Sequence, residues 1–256
     1  GVAVASYIDE TRVRCVSPSG SAAGSSAVLS LDFGTNYPEQ LQTYGHPPGC
    51  ARAIDGVLQL TAGDYGQTGS AIVQMGDLGS LSAFVAEFDV YIGGGLGGEG
   101  LSFNVGVLPP THFGERGARS GVSVQLLFAA QLVEVWYGSA LLARSSFDLD
   151  QLAQRFTPVM VTVNSDGLSV EVGGVAAVVN ATLVGWSPAD SWRMGFGART
   201  GATQNSVHLV DNVLIRTGSA YQRRVVALGL RMNGQQISED AASFSFYAEP
   251  TVSYLR

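Results

Sequence analysis

The sequence predicts an all-β chain built as two sandwiches, the larger inserted into a loop of the smaller. Three observations carry this. Runs rich in Val, Ile, Leu, Phe and Tyr recur along all 256 residues, bounded by Gly, Pro, Asn or Asp, which is the period and punctuation of strands. Only one stretch, Asp148 to Arg155, reads as a helical turn. The two ends, residues 1–28 and 218–250, read as halves of one small sandwich, and residues 29–217 between them carry enough apolar sequence for a core of their own.

The elements follow in order. Val2 to Tyr7 and Arg12 to Val16 are the N-terminal strands. Ala71 to Met75, Ala83 to Ile92, Gly121 to Phe128, Leu132 to Tyr137, Pro158 to Val163 and Gly167 to Val172 are strands of the larger part. Asn164-Ser165-Asp166-Gly167 reads as a hairpin turn, because Asp-Gly accepts positive φ; Asn233-Gly234 reads as another. Val225 to Met232 and Phe244 to Tyr247 complete the small sandwich, and residues 251–256 start a linker or a further repeat. The chain is therefore expected to be a piece of something longer, beginning within a domain.

Composition excludes several classes. The net charge is −7, and the 14 basic residues are all arginine, so nothing resembles a nucleic-acid footprint. Charged residues make up 14%, low for a soluble intracellular protein. No apolar run approaches the roughly 20 residues of a membrane helix. Cys15 and Cys50 are disulfide candidates: they could pair with each other, Cys15 could pair upstream, or both could be buried thiols. Asn180-Ala181-Thr182 is a glycosylation sequon at an expected loop, which fits a secreted context.

Residues 29–217 resemble the concanavalin A-like jelly roll of legume lectins and laminin-G-like domains. The resemblance rests on Gly56 to Thr61, Gly69 to Val73, Glu87 to Tyr91, Gly97 to Phe103, Gly195 to Gly201 and His208 to Ile215; the Ala198-Arg199-Thr200-Gly201 turn followed by His208 and Asp211-Asn212 is its most specific part. The flanks resemble the IPT/TIG immunoglobulin-like repeat through Arg14-Cys15-Val16-Ser17-Pro18, Asn233-Gly234 and Phe244 to Tyr247. In that family the first two stretches lie a few residues apart, so the long separation here implies an insertion at a surface loop, joined by Ser19 to Ser26 and Arg216 to Arg224. The repeat resemblance also implies a cysteine just before Gly1 as partner for Cys15.

The lectin resemblance implies a sugar site at Glu99, where the family has an aspartate, and at Thr200, Gly201 and Asn205, which correspond to the rim that grips sugar. The family's metal-ligand strand matches Val122 to Phe128, which offers Gln125 but no carboxylate, so no metal site and no cofactor are expected. The solvated-loop reading of Glu99 competes with the sugar contact, and Trp136, Tyr137, Trp186 and Trp192 read as packing before stacking platforms. Glucanases share the jelly roll, but of their Glu-x-Asp-x-x-Glu motif only Glu87 and Asp89 are present, with Ile92 third. Gly93 to Gly98 formally fits a nucleotide loop, but a strand follows it, so it reads as a flexible loop. His46, His112 and His208 lack metal spacing, and His208 is near Asp211, within reach of an orienting bond.

These readings converge on a non-enzymatic structural segment of a large extracellular repeat glycoprotein: a fibre, surface coat or flagellar (mastigoneme-type) appendage. Its partners would be neighbouring repeats or other copies. The alternative is a metal-independent carbohydrate-binding adhesion module with glycan partners.

Overall fold

In the computed structural model the backbone and side chains are described for residues 29–34, 41–73, 81–95, 98–149 and 153–217. For 4–9, 12–16, 27–28, 224–228, 231–232, 235–236 and 242–246 the strand backbone alone is described. Spatial proximity divides the chain into two compact units, residues 1–26 with 219–256, and residues 27–218.

The strands are β1 (Val4–Asp9), β2 (Arg12–Val16), β3 (Ala27–Leu31), β4 (Leu41–His46), β5 (Arg52–Ile54), β6 (Val57–Ala62), β7 (Thr68–Val73), β8 (Phe84–Gly93), β9 (Gly100–Gly106), β10 (Val122–Leu127) and β11 (Leu132–Tyr137). They continue as β12 (Ala140–Ser146), β13 (Thr157–Asn164), β14 (Gly167–Val172), β15 (Val175–Ala181), β16 (Arg193–Arg199), β17 (Val207–Thr217), β18 (Arg224–Leu228), β19 (Arg231–Met232), β20 (Gln235–Gln236) and β21 (Ala242–Phe246).

Residues 27–218 form a sandwich of two antiparallel sheets. The front sheet runs β12-β11-β10-β9-β16-β7-β4; the back sheet runs β15-β14-β13-β8-β17-β6-β5, with β3 also pairing β17. In the back sheet the strands alternate as a half-buried sheet should: Phe84, Ala86, Phe88, Val90 and Ile92 of β8 face the core, while Glu87, Asp89 and Tyr91 face out. Phe88, Phe103 and Phe196 meet at the centre with ring centroids 5.0–5.4 Å apart, locking the sheets face to face.

The front sheet departs from this alternation. Every residue of β9 and β10 is buried, on both faces. The cause is the segment 107–121, which folds back over the concave face. Its Leu108 and Phe113 join Ile72 in a second small core. The polar side of the sheet holds the segment by hydrogen bonds: Ser102 Oγ donates to Gly114 O at 2.8 Å, Gln125 Nε2 to Arg116 O at 2.8 Å, and Ala118 N to Asn104 Oδ1 at 3.1 Å. Gly195 and Gly197 make room; a Cβ on Gly197 would lie 2.6 Å from Phe113.

The Asp166-Gly167 turn joins β13 and β14, with Asn164 paired to Gly167 and Asn164 Oδ1 accepting from Asp166 N at 2.8 Å. Within the helical turn expected over 148–155, Leu149 is 3-10 helical and Ala153 bridges to Ile92, while residues 150–152 lie outside the described residues. A 3-10 turn also lies at Phe128–Ala130, where Gln131 adopts φ 53° and closes it. Asn233-Gly234 lies outside the described residues, between the paired strands β19 and β20. β1 pairs with β2 and β18 with β21, all antiparallel.

Candidate functional site

Three connections cross between the sheets at one end of the sandwich: 63–67 from β6 to β7, 94–99 from β8 to β9, and 200–206 from β16 to β17. Val207 pairs with both Ala62 and Gly93, and Arg199 with both Thr68 and Gly100, so the three connections stand side by side. They form the rim to which the sequence assigns Glu99, Thr200, Gly201 and Asn205.

The rim is held by bonds that consume some of these residues. Thr200 is buried; its Oγ1 donates to Asp64 O at 2.7 Å and accepts from Gln67 N at 2.8 Å. Gly66 N donates to Gly201 O at 3.0 Å, and Gly201 N to Gln204 O at 2.8 Å. Asn205 Nδ2 donates to Gly63 O in a short bond. Thr200 and Asn205 therefore stitch the 200–206 connection to the 63–67 turn. With its hydroxyl already both donating and accepting below the surface, Thr200 acts as a clamp under the rim.

Glu99 and Gly201 do come together. A Cβ on Gly201 would lie 2.7 Å from Glu99 Oε1, so the missing side chain leaves space for the carboxylate. Glu99 is partly exposed, and its Oε2 lies 3.9 Å from Arg199 Nη2. Arg199 in turn makes two 2.8 Å hydrogen bonds to buried Glu115, which with the Glu99 charge hold its pKa above the ordinary value.

Sequence reasoning missed Tyr65. It stands in the stitched 63–67 turn and is 55% exposed, the most exposed aromatic side chain among the described residues. The available signal was an aromatic in a Gly-Asp-Tyr-Gly turn, where no core can receive it. Trp136, Tyr137, Trp186 and Trp192, by contrast, are packing residues. Trp186 meets Trp192 edge-on at 5.4 Å and donates to Ser82 O, Tyr137 OH donates to Gly185 O, and Trp136 Nε1 donates to Glu134 at 2.8 Å.

The glycines of 93–98 serve close packing, which corrects the flexible-loop reading for those described. A Cβ on Gly95 would lie 1.9 Å from Asn205 O, and one on Gly98 2.8 Å from His208 Cε1. His208 is fully buried beneath this loop. Thr61 Oγ1 gives its proton to Ser206 O at 2.9 Å, so His208 Nδ1–H donates to Thr61 Oγ1 at 2.7 Å. Nε2 then has no protein partner, and burial lowers the His208 pKa to about 4. Asp211 points to the other face of β17, so the orienting bond expected between them is not made.

Glu87 and Asp89 lie on the outer face of the back sheet. Glu87 Oε1 is 2.9 Å from Arg216 Nη1, and Asp89 Oδ2 accepts from Asn212 Nδ2 at 2.8 Å. Gln125 is committed to holding the 107–121 segment, and among the described residues no three His, Cys, Asp or Glu side chains are grouped to hold a metal ion. Asn180 is exposed on β15, its Oδ1 accepting from Ser169 Oγ at 3.1 Å. Cys50 is a buried free thiol donating to Thr68 O, with its pKa raised by burial; the Cys15 side chain lies outside the described residues.

No family profile and no curated protein matches the sequence. Solved structures do. The chain is similar to lectin I-B4 from Griffonia simplicifolia in its metal-free form, at TM-score 0.59 and 16% identity over 75% of this chain and 98% of that one. It is similar to the Ca2+/Man-bound exoplasmic/lumenal domain of VIP36, at 0.57 and 14% over 88% and 95%, and to the carbohydrate recognition domain of Emp47p, at 0.53 and 17% over 75% and 95%. The fold is thus the concanavalin A-like jelly roll.

Proposed function

We infer that residues 27–218 form a metal-independent, non-enzymatic carbohydrate-binding module. The observation that carries this reading is the rim: a partly exposed carboxylate at Glu99, beside Gly201 and Arg199, next to a stitched turn that presents Tyr65. A carboxylate accepts charge-assisted bonds from sugar hydroxyls, and an exposed ring offers a flat apolar face with a polar tip. The Thr200 and Asn205 bonds fix both in advance, which lowers the ordering cost of binding. The fold shared with lectins and carbohydrate recognition domains supports the same reading.

The module would be carried by a large extracellular repeat glycoprotein, inserted into an IPT/TIG-type domain. Support comes from the resemblance of the flanks and from the grouping of residues 1–26 with 219–256 in one compact unit. A flagellar appendage or surface coat rests on resemblance alone. In a glycosylating host, secreted chain should carry a glycan at Asn180, and Asn180→Gln should run faster on a gel; equal mobility would count against the secretory placement.

A screen of the purified chain against immobilised glycans, with and without EDTA, tests the main reading. Binding of at least one glycan, unchanged by EDTA, is expected; no binding to any glycan would overturn it. A second reading, a structural link with lateral protein contacts, is favoured by one observation. The concave face is closed by 107–121, while Val175, Val179 and Val184 stand exposed beyond β14. Concentration-dependent self-association lost on Val179→Ser, together with a silent glycan screen, would move that reading ahead.

A further inference from the structure

Ion pairs run without a break across the concave face, from the rim to the far edge of the front sheet. Glu99 Oε2 is 3.9 Å from Arg199 Nη2, and Arg199 Nη2 is 2.8 Å from Glu115 Oε1. Arg116 Nε is 3.6 Å from Glu115 Oε1, and its Nη1 is 3.8 Å from Glu134 Oε2. Arg144 Nη2 closes the row at 2.7 Å from Glu134 Oε1. Arg119 lies alongside, its Cζ 5.8 Å from the centroid of the Trp136 ring.

Burial separates the two signs. The Glu115 and Glu134 side chains are 3% and 1% exposed, whereas those of Arg199, Arg116 and Arg144 are 45%, 52% and 54% exposed. The carboxylates lie underneath and the guanidiniums face out. Arg199 Nη1, Arg116 Nη2 and Arg144 Nη1 have no protein partner among the described residues. The row spans four strand spacings, from β12 to β16, or roughly 19 Å. That is the footprint of an extended chain, on a protein with net charge −7 and no lysine.

We propose that this arginine row binds an acidic glycan chain, each guanidinium taking one anionic group, with Glu99 and Tyr65 engaging a sugar ring at the rim. The proposal rests on the carbohydrate-binding reading and adds the class of glycan. Guanidiniums held flat by buried carboxylates are pre-set to present their remaining donors to a carboxylate or sulfate oxygen, and such charge-assisted bonds are the strong ones. A neutral glycan offers these donors only hydroxyl and ether oxygens, which accept weaker bonds than an anionic group does. A nucleic acid is disfavoured, because beyond this row it would meet an acidic protein.

The test is titration of the purified chain with polygalacturonate, dextran sulfate, a neutral β-glucan and single-stranded DNA, at low and high salt. At least one acidic glycan should bind, more weakly at high salt, and the arm that binds separates carboxylate from sulfate. Arg116→Gln and Arg144→Gln should each weaken it about tenfold, with melting curves confirming that the variants are folded. Neutral glucan binding without acidic glycan binding would overturn this proposal and leave the carbohydrate reading standing. Silence toward all of these polymers would overturn this proposal, and the wider glycan screen decides the carbohydrate reading. DNA binding as tight as the acidic glycan, or folded arginine variants that bind unchanged, would also overturn it. The comparison of acidic with neutral polymer and its salt dependence need no variant, so a substitution that unfolds the chain leaves the test readable.

Discussion

Arg199 of β16 grips the buried carboxylate of Glu115 through two parallel hydrogen bonds, Nε to Oε2 and Nη2 to Oε1, each 2.8 Å. This fork ties the segment over the concave face to the strand that leads into the rim. The two partners are unequal, since Glu115 is buried and Arg199 half-exposed. Arg199→Ala strands a buried carboxylate with Arg116 as its remaining partner, and should cost about 2–4 kcal/mol. Glu115→Gln leaves a guanidinium that water can solvate, and should cost about 1 kcal/mol. Urea unfolding of both variants checks the order; a costlier Glu115→Gln would contradict it.

His208 makes stability depend on pH. Its folded pKa of about 4 lies below the ordinary 6.5, so between those values the unfolded chain holds the extra proton. The contribution of this group is whole above pH 6.5 and is lost as the pH falls towards 4, to a total of order 3 kcal/mol. Unfolding midpoints of wild type and His208→Gln at neutral and acidic pH should diverge, the wild type losing more on acidification. Parallel pH profiles would contradict this.

Gly95 is where the rim loops come closest. Gly95→Ala sets a Cβ against the Asn205 carbonyl, backbone that cannot step aside, whereas a Cβ on Gly34 meets nothing nearer than 3.9 Å. Overpacking of this kind costs about 1–3 kcal/mol, so Gly95→Ala should lower the melting temperature by several degrees and Gly34→Ala by little. Equal melting of the two variants would show that the loops are looser than described.

Most of the sandwich was legible because its signals are local. Glu87, Asp89 and Tyr91 alternate with Phe88, Val90 and Ile92, so β8 can be read from its own ten residues. The Asp166-Gly167 hairpin can be read from its own turn chemistry. The closure of the concave face could not be read, because it is made of long-range partners. Nothing near Phe113-Gly114-Glu115-Arg116 says that Glu115 will be buried against Arg199, or that Gln125 will hold Arg116 O. The clamping bonds of Thr200 were hidden for the same reason: the turn motif placed it on the rim, but its partners Asp64 and Gln67 come from a different connection. The approach of Glu99 to Gly201, which leaves room for the carboxylate, is likewise a contact between two connections.

The central claim is that the rim binds sugar through Glu99 and Tyr65 without a metal ion. The most direct measurement is the affinity of the strongest glycan from the screen for wild type, Glu99→Ala and Tyr65→Ala, all in EDTA. The account predicts measurable wild-type binding that falls about tenfold or more in Glu99→Ala, as expected for loss of a charge-assisted bond, and that also weakens in Tyr65→Ala. Unchanged affinity in Glu99→Ala, or wild-type binding abolished by EDTA, would contradict it.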